Sequence, residues 1–238
     1  MGIFHTTSHK IIDLDSKEST KQMIDREIQI MMHVVHPTIV KFYGFTKCKT
    51  DKNESIMIVM ELFEKGSLAD LLEQEEKSTA DIDYDDTARQ KILVGIAYGM
   101  MKLHQKRVIH RDLKPGNILI DKNFEPHITD FGLSKIYKCG QSSNMSSNTP
   151  CGTLIYMAPE VSKGLGYNGK VDVYSFGIIM YQVLCGKLTI QNFPGKMNQY
   201  IFNKKVIEEN FRPKFDGLNI KPSFKKLIEK CWSDNPRD

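Results

Sequence analysis

The N-terminal part of the chain mixes two periodicities of apolar residues. Residues 10–12 predict a short strand, and apolar side chains at helical spacing predict a helix over 21–34, which the proline at 37 ends. Residues 39–45 and 56–62 are rich in β-branched and aromatic side chains and predict two strands joined by a polar loop. We therefore expect this part of the chain to be rich in strands.

The pattern becomes mainly helical after the glycine at 66. Four segments have the amphipathic or almost wholly apolar spacing of helices, namely 88–104, 171–184, 200–209 and 223–231. Residues 107–131 predict short strands and loops, and residues 140–148, rich in Ser and Asn, predict a mobile loop. The order of elements predicts an α+β fold of two lobes, a small β-rich lobe over 1–62 and a larger, mainly helical lobe over 63–238.

Composition and charge exclude several classes of protein. The 238 residues are 40% hydrophobic and 26% charged, which is typical of a globular domain rather than a disordered chain. The 33 basic residues exceed the 29 acidic ones by only four and are scattered, so we expect no nucleic acid and no membrane surface as partners. Five cysteines without a C-x-x-C spacing, and no apolar run that could cross a bilayer, predict a soluble cytoplasmic protein.

Three short motifs carry the candidate chemistry. Residues 110–117 read HRDLKPGN, residues 130–132 read DFG and residues 158–160 read APE. In order and spacing these motifs resemble those of the eukaryotic protein kinase family, and the resemblance runs from about Lys10 to Arg237. It implies the two-lobed protein-kinase-like fold.

The resemblance implies that the chain transfers a phosphoryl group from ATP to a hydroxyl group with the help of Mg²⁺. Asp112 would orient the substrate hydroxyl and accept its proton, and Lys114 would reach the γ-phosphate. Asn117 and Asp130 would supply oxygen ligands to Mg²⁺. These residue types suit the reaction because it needs alignment and charge neutralisation more than covalent catalysis.

The same resemblance indicates the substrate class. Kinases of this fold that phosphorylate Ser or Thr carry a lysine at the position of Lys114, and Thr153 resembles the hydroxyl that bonds to Asp112 and Lys114. The form of residues 152–160 and the Cys-Trp pair at 231–232 resemble the tyrosine-kinase-like branch of Ser/Thr kinases. The implied partners are protein substrates that bear Ser or Thr.

A nucleotide-binding set is implied in the first part of the chain. Lys10 and Glu27, seventeen residues apart, resemble the lysine and helix glutamate that pair in active kinases. Glu61 and Phe63 would offer a backbone carbonyl and a backbone amide to adenine, and Ser67 could reach the ribose.

A regulatory site is implied by position. Thr149 lies four residues before Thr153, where many kinases of this family carry an activating phosphate. Arg111 and Lys135 would clamp that phosphate and order the Ser-rich loop. The phosphate would come from an upstream activator or from self-phosphorylation.

The chain departs from the family pattern near both ends. Residues 7–10 read Thr-Ser-His-Lys where the family has Val-Ala-x-Lys, and no Gly-rich phosphate loop precedes Lys10. The resemblance therefore implies a domain cut at both ends, with an incomplete small lobe and a helical lobe that lacks its last helix. A non-catalytic pseudokinase that binds and regulates partners is the alternative function. A small-molecule phosphotransferase is disfavoured, because residues 153–160 resemble a peptide-docking surface.

Overall fold

The computed structural model describes six ranges of the chain. They are residues 7–13, 18–49, 54–77, 84–136, 154–185 and 199–237. Thr149, Thr153 and the predicted loop at 140–148 lie outside the described residues, so their predicted roles stay predictions.

The strand-rich part of the chain is built on one antiparallel sheet. Its strands are β1 (Thr7–Asp13), β2 (Phe42–Lys49) and β3 (Glu54–Glu61), in the order β1-β3-β2. In this register Lys10 lies opposite Ile58. The three predicted strands are confirmed. The predicted polar loop over 47–55 was too long, because exposed polar side chains do not prevent the backbone pairing that extends β2 and β3.

Helix α1 (Glu18–His33) delivers one carboxylate to the sheet. An acidic residue, Glu18, lies in its first turn, where the helix dipole favours negative charge. Its buried face carries Glu27 among apolar side chains that include Ile24, Ile28 and Met31. The predicted helix over 21–34 is thus confirmed, and its apolar stripe turns Glu27 towards β1.

The rest of the chain is mainly helical. Its helices are α2 (Leu68–Glu76), α3 (Asp86–Gln105), α4 (Pro159–Ser162), α5 (Lys170–Cys185), α6 (Gln199–Phe202) and α7 (Pro222–Cys231). The predicted helices at 88–104, 171–184 and 223–231 are confirmed within two residues at each end. The predicted helix at 200–209 is present as α6 followed by a π-helix, Asn203–Glu208, whose one buried residue is Val206.

Four short strands form two ladders between α3 and the later helices. Strand β4 (Val108–Ile109) pairs with β7 (Lys135–Ile136), and β5 (Ile118–Ile120) pairs with β6 (Pro126–Ile128). Ile39 was predicted as the start of a strand, but it lies outside β2 and instead forms an isolated parallel bridge with Ile128.

The fold is therefore α+β, with a strand-rich N-terminal part and a helical C-terminal part, as the pattern predicts. Across the described ranges, every helix is too short or too polar to cross a membrane.

Candidate active site

The segment that follows β4 is held in an unusual backbone conformation. Arg111 has φ of 67°, in the left-handed region that side chains other than glycine seldom adopt. The carboxylate of Asp172, at the start of α5, accepts hydrogen bonds from the amides of His110 and Arg111, both at 2.9 Å. It also bonds to Nε2 of His104 at 2.8 Å. The buried carboxylate thus fixes the turn from which Asp112 projects.

Removing the Asp172 carboxylate should destabilise the fold strongly. We expect Asp172→Ala to lower the free energy of unfolding by about 3–5 kcal/mol, because buried donors are left without their charged acceptor. Urea denaturation followed by circular dichroism measures this loss. His104→Ala removes only one of the three donors, so its loss should be clearly smaller. A loss below about 1 kcal/mol for Asp172→Ala would contradict this account.

Three predicted catalytic side chains converge after that turn. The Lys114 ammonium lies 2.7 Å from Oδ2 of Asp112, which is itself buried. Nδ2 of Asn117 donates to the backbone carbonyl of Asp112 at 2.8 Å and to its Oδ2 at 3.1 Å. Because the amide nitrogen of Asn117 bonds to Asp112, its amide oxygen is the atom that suits a metal ion.

The predicted nucleotide-binding charges meet on the other side of the site. The Lys10 ammonium lies 3.0 Å from Oε1 of Glu27 and 3.2 Å from Oδ1 of Asp130. Burial opposes the charge on Lys10, but the two carboxylates outweigh it and raise the pKa of Lys10. Burial also raises the pKa of Glu27, and the Lys10 ammonium opposes that shift. The predicted pairing of Lys10 with Glu27 is confirmed, and Lys10 also reaches Asp130.

Asp130 is oriented by strained backbone and by its buried neighbours. Its φ is 64°, again in the left-handed region. Phe131 packs against the ring of His110 with the ring centroids 5.4 Å apart, and both side chains are fully buried. Nε2 of His110 donates to the backbone carbonyl of Thr129 at 3.0 Å. These contacts make His110 a packing residue and leave the Asp130 carboxylate directed towards Lys10.

Strands β5 and β6 connect these groups to the segment after β3. The amide of Thr129, which precedes Asp130, donates to the carbonyl of Asn117 at 3.0 Å. Leu119 of β5 forms an isolated bridge with Ser67. The same short ladder therefore supports both predicted metal ligands and the predicted ribose contact.

The segment after β3 turns sharply into α2. Gly66, with φ of 70°, precedes Ser67, the N-cap of α2. The Ser67 hydroxyl donates to Oδ2 of Asp70 at 2.7 Å and accepts from the Asp70 amide at 3.2 Å. A Cβ on Gly66 would lie only 2.8 Å from Oδ2 of Asp70. The positive φ therefore favours glycine at 66, and the turn places the Asp70 carboxylate beside Ser67.

The ring of His127 packs against the ring of Phe63. Their ring centroids are 4.5 Å apart, and both ring nitrogens of His127 are buried with no hydrogen-bond partner among the described residues. Burial lowers the pKa of His127, and the carboxylates of Asp121, Glu61 and Glu125 oppose this shift without cancelling it. The neutral ring is therefore the form that fits this position.

The buried ring nitrogens of His127 should make the stability depend on pH. Because the pKa of His127 is lower in the folded chain, the unfolded chain binds a proton at this histidine more readily once the pH falls below about 6.5. Proton binding then favours the unfolded chain, so the free energy of unfolding is highest above that pH and decreases as the pH falls. We expect His127→Phe to reduce the loss of stability between pH 7.5 and 5.5, as measured by urea midpoints. His33→Gln, at an exposed histidine, is the control. Identical pH dependence in the wild type and His127→Phe would contradict this account.

The two predicted phosphate-clamping cations both lie beside Tyr167. Nε of Arg111 donates to the carbonyl of Leu133 at 2.6 Å, and its NH1 donates to the Tyr167 hydroxyl at 2.8 Å. The Lys135 ammonium lies 5.5 Å from the centroid of the Tyr167 ring. Arg111 and Lys135 are therefore brought together as predicted, whereas Thr149 lies outside the described residues.

Sequence reasoning missed two residues of this site. Asp70 had a local signal, because Ser-x-x-Asp before an apolar run is a capping-box pattern. His104 had none, because its partner Asp172 lies 68 residues away in the sequence. An isolated histidine on an amphipathic helix is not distinguished from other packing residues by its sequence context.

This site lies in a chain that belongs to the protein kinase family. The sequence profile of the protein kinase domain matches residues 5–238. One similar protein is a Dictyostelium discoideum "Probable serine/threonine-protein kinase", 33% identical over 93% of this chain and 16% of its own length. Another from the same organism is "Dual specificity protein kinase shkA", 35% identical over 89% of this chain and 38% of its own length.

A third relative is a Dictyostelium discoideum "Probable LIM domain-containing serine/threonine-protein kinase", 34% identical over 90% of this chain. It is covered over 30% of its own length, so this chain spans less than two fifths of each of the three relatives. The kinase resemblance of the sequence is confirmed, and the tyrosine-kinase-like branch stays a prediction.

Proposed function

We propose that this chain transfers the γ-phosphoryl group of ATP to Ser or Thr hydroxyls of protein substrates, assisted by Mg²⁺. The observation that carries the proposal is the joint geometry of two groups of side chains. Asp112 is bonded to Lys114 and Asn117 on one side, and Asp130 is bonded to Lys10 on the other. A packing role alone would not require so many charges in one place.

The residues around Asp112 suit hydroxyl activation. The Asp112 carboxylate would accept the hydroxyl proton while its orientation is held by Lys114 and Asn117. The Lys114 ammonium is half-buried, so its charge would help to neutralise the negative charge that spreads over the transferred phosphoryl group.

The oxygen atoms of the site fit Mg²⁺ in chemistry. Asn117 and Asp130 would hold the ion, which would supply positive charge to offset the negative charge of the phosphate groups. In the described part of the chain, no three His, Cys, Asp or Glu side chains form a metal-binding cluster. Two protein ligands suit Mg²⁺, because this ion usually completes its shell with phosphate and water.

The proposed adenine site uses backbone groups of Glu61 and Phe63, with Ser67 beside the ribose. Lys10 would bind phosphate oxygens, and Glu27 would keep its ammonium in place. The buried position of Glu27 supports this role, because a buried carboxylate needs a cationic partner.

The test is a phosphorylation assay with radiolabelled ATP and Mg²⁺ on casein and myelin basic protein, followed by analysis of the phosphorylated amino acids. We expect label on Ser and Thr and none without Mg²⁺. ATP binding without any transfer would replace this proposal with the pseudokinase alternative. Label on tyrosine alone would overturn the substrate class.

We further propose that phosphorylated Thr149 binds Arg111 and Lys135 and thereby activates the chain. Two cations beside Tyr167 support this, because a phosphate of charge near −2 forms strong charge-assisted hydrogen bonds. We expect mass spectrometry of the active protein to find phosphate on Thr149, and Thr149→Ala to have lower activity. Ser142→Ala is the control in the same segment. Full activity of Thr149→Ala, with phosphate found only elsewhere, would refute this role.

A further inference from the structure

Ser8 places a hydroxyl in the proposed nucleotide cleft. It precedes Lys10 by two residues in β1, and side chains two residues apart in a strand lie on the same face of the sheet. Lys10 reaches Asp130 from that face, so Ser8 also faces the cleft. Its half-buried hydroxyl donates to the backbone carbonyl of Glu61 at 3.0 Å. The kinase pattern has alanine at this position, and the alanine side chain has no hydrogen-bond donor.

The Glu61 carbonyl is a group that would form a hydrogen bond with the base and so distinguish adenine from guanine. Adenine presents a donor, its 6-amino group, followed by an acceptor, N1, and this order suits the Glu61 carbonyl followed by the Phe63 amide. Guanine presents an acceptor, O6, followed by a donor, N1–H. This order suits the Phe63 amide followed by the Phe63 carbonyl. Guanine would therefore bind to backbone groups shifted towards the C-terminus from those that bind adenine.

The shifted position of guanine leaves the Glu61 carbonyl without a partner from the base. An unpaired acceptor in a desolvated site weakens binding, and this is one way in which a site rejects the wrong ligand. The Ser8 hydroxyl removes this penalty, because it bonds to the Glu61 carbonyl in the absence of any base. When adenine is bound, the carbonyl can accept from both donors, since it has two lone pairs.

We propose that Ser8 is a specificity-determining residue that lets this site use GTP as well as ATP as the phosphoryl donor. The inference rests on the proposed function and specifies which nucleoside triphosphates would supply the phosphoryl group. With GTP, the bond between the γ-phosphorus and the β,γ-bridging oxygen breaks and GDP leaves with the electron pair. A bond forms to the substrate hydroxyl oxygen, whose proton passes to Asp112 and then to solvent.

The test measures dissociation constants by isothermal titration calorimetry for the β,γ-imido analogues of ATP and GTP, each with Mg²⁺. The proteins are the wild type, Ser8→Ala and Ser8→Thr. We expect the ratio of the GTP-analogue constant to the ATP-analogue constant to rise roughly tenfold in Ser8→Ala, or 1.4 kcal/mol at 25 °C. Ser8→Thr keeps the hydroxyl and should keep the wild-type ratio.

A second serine of the same sheet provides the matched control. Ser55 is fully buried in β3 and donates to Asp13 at 2.7 Å, at the far end of β1 from Ser8. Ser55→Ala should change stability without changing the ratio of the two dissociation constants.

Three results would overturn the inference. One is a ratio in Ser8→Ala within twofold of the wild type, and another is a wild type that binds the ATP analogue but not the GTP analogue. Binding of neither analogue would remove the proposed function and the inference together. If both analogues bind with the expected ratios but no phosphoryl transfer occurs, the proposed function and the use of GTP as a donor both fail, while the effect of Ser8 on base specificity stands.

Discussion

Asp130→Asn should lose Mg²⁺-dependent phosphoryl transfer, with turnover at least about 100-fold below the wild type. Charge stabilisation by a bound metal is worth several kcal/mol in the transition state, and each 1.4 kcal/mol changes the rate tenfold. Asparagine keeps the shape of Asp130 but removes the charge that would hold the ion. It also removes one of the two carboxylates beside the Lys10 ammonium.

The measurement for Asp130→Asn is a titration of turnover with Mg²⁺ at saturating ATP. Asp86→Asn is a matched control, because Asp86 lies in the first turn of α3 and its side chain is 91% exposed. Its turnover and Mg²⁺ dependence should equal those of the wild type. If Asp130→Asn retains near wild-type turnover at the same Mg²⁺ concentration, Asp130 is not a metal ligand.

Asp112→Asn should slow phosphoryl transfer by about 10²–10⁴-fold, the range expected when a positioned general base is lost. The amide keeps an oxygen that can accept from Lys114 and Asn117, so the fold should survive. Lys10, Glu61 and the other proposed nucleotide contacts are unchanged. The loss should therefore appear in kcat, with the dissociation constant for ATP changed only a few-fold.

Two measurements separate Asp112 from Asp130. Single-turnover kinetics should show a slow chemical step for Asp112→Asn at every Mg²⁺ concentration, since Asp112 would act on the hydroxyl and not on the metal. Thermal unfolding should show that the variant keeps the wild-type fold. A kcat within about threefold of the wild type would exclude Asp112 as the general base.

Local patterns were sufficient for most elements of the fold. The apolar pattern of α1, α3 and α5 predicts each helix within a few residues, because α1 and α3 bury one face and α5 is buried on most sides. The pattern of apolar and polar residues predicted a loop between β2 and β3 that was too long, because backbone pairing does not depend on apolar side chains. It also could not show that Ile39 would pair with Ile128 rather than extend β2.

The motifs identified most residues of the candidate site. They predicted only some of the contacts between those residues. The kinase resemblance implies the ion pair of Lys10 and Glu27, which the structure confirms. The contact of Lys10 with Asp130 joins residues 120 positions apart, and no periodicity encodes it. Ser67 was predicted to reach the ribose, but its hydroxyl is bonded to Asp70, so that role stays a prediction.

The sequence by itself determined the class of fold, the kinase motifs and the residue types that phosphoryl transfer requires. These depend on local periodicity and on short motifs whose members lie close together in the chain. Only the tertiary structure decided that His104 bonds to the Asp172 carboxylate, and that the Ser8 hydroxyl bonds to the Glu61 carbonyl. The physical reason is that a hydrogen bond depends on distance and direction in space, and packing brings together groups that the sequence separates.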